Sequence, residues 1–500
     1  MSHNRMNETP TTSKYQWLLP SVSALVFVLV FWISLYFMPQ MMNGDGDLGR
    51  HITLGTYILD QRTIPTTDLF SHTMQGTFMV PHEWLSQVAF ALVHRAAGLN
   101  GIAWLTAVLI AATYAILNVT LQQMGVRALL ALAGSLFGSV VGAIHTLTRP
   151  HLFTLFFFAL ALLILETYRR RGQEKTLLWL LPLMLVWTNT HGAFIAGFVL
   201  TLLYAVGAVL EKRPRPALAL LATLGLLVLT SLLNPVGSAL LANSFGYLRE
   251  DFLVNITIEY RSPDFHQISA WPFAALLLGS LGFAWLSGRR LTWTPLLTLL
   301  VWSAFALYSA RNIPLYGLVA LALLLPEIDG WLGESWPRLS RFLASTDAAA
   351  RGTWGWMWAG LLLVGVMAAQ ANGAKTDLFG VGNTFSDTMF PIAAVDAIQA
   401  ELPEGRMFNE FGWGGYLLYR LWPERLVFID AQTDFYGEAL TRQFLQIADA
   451  EPGWETLLEA YEVAWIILPP TRPLAAWLGQ SAEWQELYRD DTAVIWTKND

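Results

Sequence analysis

The 500-residue chain contains no cysteine. Disulfides, thiolate metal sites and cysteine nucleophiles are thereby excluded. Charge is scarce as well: Asp, Glu, Lys and Arg make up 13% of the residues, against roughly 25% in soluble domains. With 54% hydrophobic residues, an ordinary soluble protein is excluded. No basic surplus exists either, since the net charge is −7, and this argues against nucleic acid as a partner. No small-residue cleavage site follows the first apolar run, so that run reads as a span and not as a removable signal peptide.

What is present comes in blocks. Residues 18–39, 101–121, 152–165 and 354–369 are almost or entirely free of charge. They are long enough, or nearly so, to cross a hydrocarbon core of about 30 Å. The remaining charge is unevenly divided. Residues 372–500 hold 20 acidic and 8 basic residues, a net of −12, while residues 1–371 hold 17 and 22, a net of +5. The expected organisation is an N-terminus (1–17), a transmembrane domain (18–371) and an acidic domain (372–500).

Basic loops mark the cytoplasmic side of a membrane protein. Arg5 and Lys14, Arg127, the run from Arg169 to Lys175, Lys212 to Arg215, Arg289-Arg290 and Arg338 to Arg351 together carry 15 of the 22 basic residues in the first 371. Placing all of them in the cytoplasm predicts eleven crossings. These fall near 18–38, 101–122, 128–147, 151–168, 176–190, 192–210, 217–233, 270–287, 292–308, 313–326 and 353–370. The N-terminus is then cytoplasmic and the C-terminal domain lies outside a plasma (inner) membrane. Segment 83–97 is apolar but short, and parity asks for both its ends on the external side. A half-buried, re-entrant or interfacial helix meets that demand.

The threading gathers the unusual polar motifs on the external face. They are Gly44-Asp45-Gly46-Asp47, His82-Glu83-Trp84, Thr148-Arg149-Pro150-His151, Asn189-Thr190-His191-Gly192, the long loop 234–268 and Ala310-Arg311-Asn312. Ionisable residues at span ends and in external loops are where a membrane enzyme builds a site. Any one such motif also reads as a merely polar span end, but six on one face, opposite plain Lys/Arg loops, favour a shared cavity.

The first external loop, 40–82, is the most informative. It opens on Asp45 and Asp47. Leu48, Ile52, Leu54, Ile58 and Leu59 follow at helix-like spacing, which suits an interfacial helix. Turn signals come next at Ile64-Pro65-Thr66-Thr67-Asp68 and Gln75-Gly76-Thr77. The Asp-x-Asp pair has three readings: a carboxylate base, a hard-ligand site for Mg²⁺ or Mn²⁺, or a solvated turn.

The order of Asp45-Gly46-Asp47, a helix around Gly55 to Leu59, Ile64-Pro65, Gly76 and Pro81-His82-Glu83-Trp84, with the later Arg149-Pro150-His151 turn, resembles the GT-C glycosyltransferases. The likeness is to the bacterial branch of protein O-mannosyltransferases and lipid A aminoarabinose transferase. It covers roughly residues 18 to 200. The family often has Asp-Glu where Asp-x-Asp stands here. The resemblance implies sugar transfer from a polyprenyl-phosphate donor to an external lipid, glycan or protein acceptor, with Asp45 or Asp47 as catalytic carboxylate. Arg149, Arg311, Arg50 and His151 are then candidates for the donor phosphate, which arginine grips bidentately. His51, His82, Glu83 and His191 are candidates for substrate hydroxyls. Glu259, in Thr257-Ile258-Glu259-Tyr260, is faintly similar to a loop acid of oligosaccharyltransferase catalytic subunits.

The tail reads as a small α/β domain. Helices are expected at 392–402, 439–448 and 454–461, and strands at 406–410, 426–430, 464–468 and 493–497. Its Phe411-Gly412-Trp413-Gly414-Gly415-Tyr416 distantly resembles an oligosaccharyltransferase acceptor motif, without that motif's Asp. Trp413 and Tyr416 are therefore candidates for stacking on an acceptor.

The expected fold is thus a polytopic α-helical membrane protein of about 11–13 transmembrane helices, GT-C-like, with a C-terminal extracytoplasmic α/β domain. Two alternatives stand beside the transferase. A lipid-linked-sugar flippase or transporter calls for mid-span charge and an internal repeat, and the sequence has little of the first and none visible of the second. A non-catalytic scaffold of the cell envelope is the other. A His/carboxylate metal cluster lacks the i, i+4 histidine spacing of a helical metal motif.

Overall fold

In hydrocarbon a helix satisfies all its own backbone N–H and C=O groups, so apolar runs of this length fold as helices. The computed structural model describes residues 21–247, 252, 257–347, 355–371 and 383–499; the expected N-terminal segment 1–17 lies outside the described residues. The first ten helices are α1 (Val22–Tyr36), α2 (Met38–Asn43), α3 (Leu48–Gln61), α4 (Trp84–Gln123), α5 (Ala128–Gly142), α6 (His151–Arg171), α7 (Leu180–Thr190), α8 (Ile195–Leu210), α9 (Pro214–Ser231) and α10 (Ser238–Tyr247). Helices Trp271–Ser287, Trp293–Tyr308, Ile313–Ser335 and Gly355–Ala371 complete the bundle.

Among the described residues, seven helical stretches are long and apolar enough to cross a membrane, and three shorter apolar helices join them. Each of the eleven expected crossings coincides with a helix. Of the most apolar 18 residues within Ala310–Ser335, 72% are buried, placing it in the interior, whereas in Ile268–Ser287 the share is only 11%, placing it at the rim. Leu278, Leu281 and Trp285 on that rim are exposed, as befits a lipid-facing surface.

Segment 83–97 forms the first part of α4. The helix breaks sharply at Ala97 (φ −150°, ψ 20°) and Gly98 (φ 58°, ψ −147°). Beyond the break the chain doubles back, bringing Gly101 against the Val93 carbonyl. His94 meets Tyr419 at 3.1 Å, Asn383 donates to Asn100 at 2.6 Å, and Arg95 pairs with Asp60 of α3 at 2.6 Å. The C-terminal end of the segment therefore meets residues of the C-terminal tail, at a bend made by a glycine conformation closed to side chains.

The C-terminal sheet has four strands, β1 (Arg406–Asn409), β2 (Val463–Leu468), β3 (Trp484–Arg489) and β4 (Val494–Lys498), in the order β1-β2-β4-β3. β1 and β2 are parallel, and the other pairs antiparallel. Helices Ile392–Ile398, Thr433–Ala448 and Trp454–Ala460 flank it. Two expectations are corrected. Segment 426–430 is buried and extended but joins no sheet strand; it pairs instead with the first loop, where Val427 N–H donates to the Phe70 carbonyl and His72 N–H to the Val427 carbonyl, both at 3.0 Å. β3, which was not expected, is mostly solvent-exposed and so lacks an apolar run to announce it.

Residues of the tail are not packed separately from the bundle. One continuous apolar core runs from α1 and α4 through to Phe385, Met407, Tyr416 and Trp465. A second, smaller core lies within the tail around Phe408, Phe444 and Ile466.

Candidate active site

The Asp45-Gly46-Asp47 turn joins α2 to α3. Asp45 Oδ1 accepts from the Asp47 amide at 3.2 Å, the local bond by which aspartate makes its own turn. Asp47 is the N-cap of α3, yet its carboxylate caps no amide of the helix. It is drawn away by Arg149, which sits immediately before Pro150, the N-cap of α6. Arg149 Nε lies 2.5 Å from Asp45 Oδ2, and Nη2 lies 2.5 Å from Asp47 Oδ2. Its third nitrogen, Nη1, is 3.4 Å from Glu259 Oε2. Three carboxylates from two separate loops thus converge on one guanidinium.

The network continues from there. Arg311, on the turn before helix Ile313–Ser335, reaches Glu259 at 3.6 Å and His191 at 3.4 Å, with its guanidinium 4.9 Å from the centre of the Tyr260 ring. His145 Nδ1 lies 3.5 Å from Glu259, and the His145 and His151 rings are 4.3 Å apart. His191 Nε2 is 3.6 Å from Glu83, which His82 and His51 approach at 3.7 and 3.9 Å. Trp84 Nε1 donates to Asn189 Oδ1 at 2.8 Å.

The two aspartates differ electrostatically. Burial, reinforced by Asp47 and Glu259, outweighs Arg149 and lifts Asp45 to about 7. For Asp47 burial is outweighed instead, because Arg149, His51 and Arg50 together hold it below the usual carboxylate range. Glu259 follows Asp47: burial pushes it up, but Arg311, Arg149 and His151 pull it down. Burial likewise pushes His51 below its ordinary value, against the pull of Glu83 and Asp47.

Nine of the expected site residues therefore form one connected network: Asp45, Asp47, His51, His82, Glu83, Arg149, His191, Glu259 and Arg311. His151 adjoins it through His145. Three expected residues lie elsewhere. Arg50, expected beside a donor phosphate, is buried and committed to Asp430 through an Nε–Oδ2 contact of 3.0 Å. Trp413 and Tyr416, expected to stack on an acceptor, are 5% and 1% exposed; Trp413 donates to the Met389 carbonyl, and Tyr416 packs against Phe385 and Phe390. Sequence reasoning assigned no role to His145 or Asp430, and named Asn189 only as part of its motif. Asp430 did carry a signal, an acid closing the apolar run Leu426-Val427-Phe428-Ile429.

Among the described residues no group of three His, Asp or Glu side chains fits a metal ion. Asp45 and Asp47, considered as ligands for Mg²⁺ or Mn²⁺, each turn one carboxylate oxygen, Oδ2, to Arg149.

The fold is similar to that of solved oligosaccharyltransferase and ArnT structures. The oligosaccharyltransferase of Archaeoglobus fulgidus in its apo form superposes with a TM-score of 0.61 at 12% identity, covering 92% of this chain and 70% of its own. The same archaeal enzyme, AglB, in complex with an inhibitory peptide and a dolichol-phosphate gives 0.59 at 12% identity, covering 89% and 69%. ArnT from Cupriavidus metallidurans in the apo state gives 0.55 at 14% identity, covering 95% and 97%. No family model matches the chain, and no curated protein matches it in sequence.

Proposed function

We propose that the chain is a membrane glycosyltransferase that moves a sugar from a polyprenyl-phosphate-linked donor to a lipid, glycan or protein acceptor, on the extracytoplasmic side of the plasma membrane. The observation that carries this reading is the guanidinium of Arg149 among Asp45, Asp47 and Glu259, with Arg311 beside it, at one end of the bundle. The archaeal neighbour held with a dolichol-phosphate supports a lipid-phosphate donor. A flippase would need a polar path through the membrane, and a cluster confined to one end favours the transferase.

In this reading Asp47, kept ionised, holds Arg149 in place. Arg311, whose side chain is 25% exposed, has donors left for a phosphate oxygen, since a guanidinium carries five N–H groups. Asp45 is the base. The acceptor hydroxyl oxygen attacks C1 of the sugar, the C1–O bond to phosphate breaks, and the hydroxyl proton passes to Asp45 while polyprenyl phosphate departs. A base with a pKa near the working pH is best suited to this task.

The test uses the full chain in nanodiscs with a panel of polyprenyl-phosphate hexoses and pentoses, following sugar release. Asp45→Asn and Asp47→Asn are each expected to lower turnover by about 10²–10⁴-fold. Wild-type turnover in both, with the fold intact, would overturn the assignment.

A further inference from the structure

The Phe411-to-Tyr416 motif is not at the charged cluster, but it lies directly beneath the loop that carries the aspartates. A Cβ placed on Gly46 would run into the Gly412 carbonyl, and one on Gly49 into the Gly415 carbonyl. In return, a Cβ on Gly415 would strike the Gly46 carbonyl and come within 3.3 Å of the Arg50 amide. Gly46 stands between Asp45 and Asp47, so these are backbone-to-backbone contacts at the acidic turn itself. Helix Gly414–Leu421 packs on α3 through this seam of small residues, the way helices approach most closely. One turn further along α3, Arg50 and Asp430 form an ion pair in which the side chains are 3% and 1% exposed. Gly414 in turn abuts the Ile429 carbonyl and Asp430, so the glycine seam and the ion pair form one unit. Asn43, just before the turn, is held by the Thr384 carbonyl at 3.2 Å and the Ser386 amide at 2.8 Å.

From this arrangement we infer that Gly415 and the Arg50–Asp430 pair are positioning residues: the C-terminal residues form the bed on which the Asp45-Gly46-Asp47 turn is set against Arg149. The inference rests on the proposed transferase reading. The catalytic constellation is therefore assembled across the whole chain, with the tail fixing the acids that the bundle's Arg149 neutralises. The glycines of the tail motif serve close approach and not stacking on a sugar.

The test compares Gly415→Ala and Asp430→Asn in the full chain with wild type and with Gly225→Ala, whose Cβ would enter open space. Folded protein is counted by monodisperse elution and melting, and turnover is expressed per folded molecule across a pH series. A displacement near 1 Å at the turn is expected to cost Gly415→Ala about 10²-fold in turnover. It is also expected to move the acid limb of the pH profile away from the wild-type midpoint of about 7 set by Asp45. Asp430→Asn should show the same two effects more weakly, and Gly225→Ala neither. A purely structural role would lower the yield of folded protein while leaving both turnover per molecule and midpoint unchanged, and that result overturns the inference. If the first two variants yield no folded protein, Arg50→Lys, which keeps the charge, is read in the same way. Its turning over like wild type at an unshifted midpoint would equally sink the idea. Should Asp45→Asn and Asp47→Asn retain activity, the transferase assignment fails instead, whatever the glycine variant does.

Discussion

Arg149 decides the chemistry open to its neighbours. A lysine there would be a point charge on a flexible stem, unable to span Asp45, Asp47 and Glu259 with a planar fork. Arg149→Lys is therefore expected to retain more of the activity than Arg149→Gln, whose residual turnover stays measurable. The pH dependence supplies the sharper check. Asp45 must be a carboxylate to take a proton, so turnover is present above about pH 7 and is lost as pH falls through that value. Arg149 opposes the burial that raises Asp45. Removing its charge leaves burial less opposed, so the midpoint of Arg149→Gln should move upward, read from turnover between pH 5 and 9. An unmoved or lowered midpoint in Arg149→Gln would contradict the electrostatic account. Most of these residues were legible beforehand, because a charged or histidine side chain at the end of an apolar run stands out. Their pairings were not. Asp47 and Arg149 are 102 positions apart, and Arg50 and Asp430 are 380 apart, so only folding could reveal who neutralises whom.

At the scale of elements, the break in α4 is the feature on which the face depends. Gly98 adopts φ 58° with ψ −147°, a combination essentially reserved to glycine. Gly98→Ala is expected to destabilise the protein by about 1–3 kcal/mol, measured as a shift in chemical or thermal denaturation in detergent. Stability equal to wild type would show that the bend is not required. α3 illustrates how context alters an amphipathic reading. Its spacing suggested a helix lying on the membrane interface, whereas residues 48–55 are buried, packed against α4 on one side and helix Gly414–Leu421 on the other. The missed strand β3 and the segment 426–430 reflect one physical limit. Alternation and apolar runs report burial, and burial does not say whether an extended segment pairs with a strand or with a distant loop.

For the whole molecule, the absence of cysteine offers a clean test of sidedness. Single cysteines replacing Ser481 in the tail and Lys175 in a basic loop should react differently with a membrane-impermeant maleimide on intact cells. Ser481→Cys is expected to label from the outside, and Lys175→Cys only after permeabilisation. The reverse pattern would place the charged cluster in the cytoplasm and remove the extracytoplasmic acceptor. The ends of the bundle also differ in kind. Opposite the cluster, Arg169 and Tyr204 both donate to the buried Glu166 at 2.7 Å, a closed arrangement without histidine.

The sequence by itself determined that this is a multi-span helical membrane protein. Hydrocarbon leaves a long apolar run no other way to satisfy its backbone, and basic loops bias orientation without reference to the fold. The sequence also determined which polar side chains are unusual, since each stands at the end of such a run. Only the tertiary structure decided that nine of them form one network, that Arg149 is the cation among three acids, that Arg50 is committed to Asp430, and that Trp413 and Tyr416 are buried in packing. Those outcomes depend on contacts between segments hundreds of residues apart. They are set by how helices and the tail pack, which no local pattern encodes.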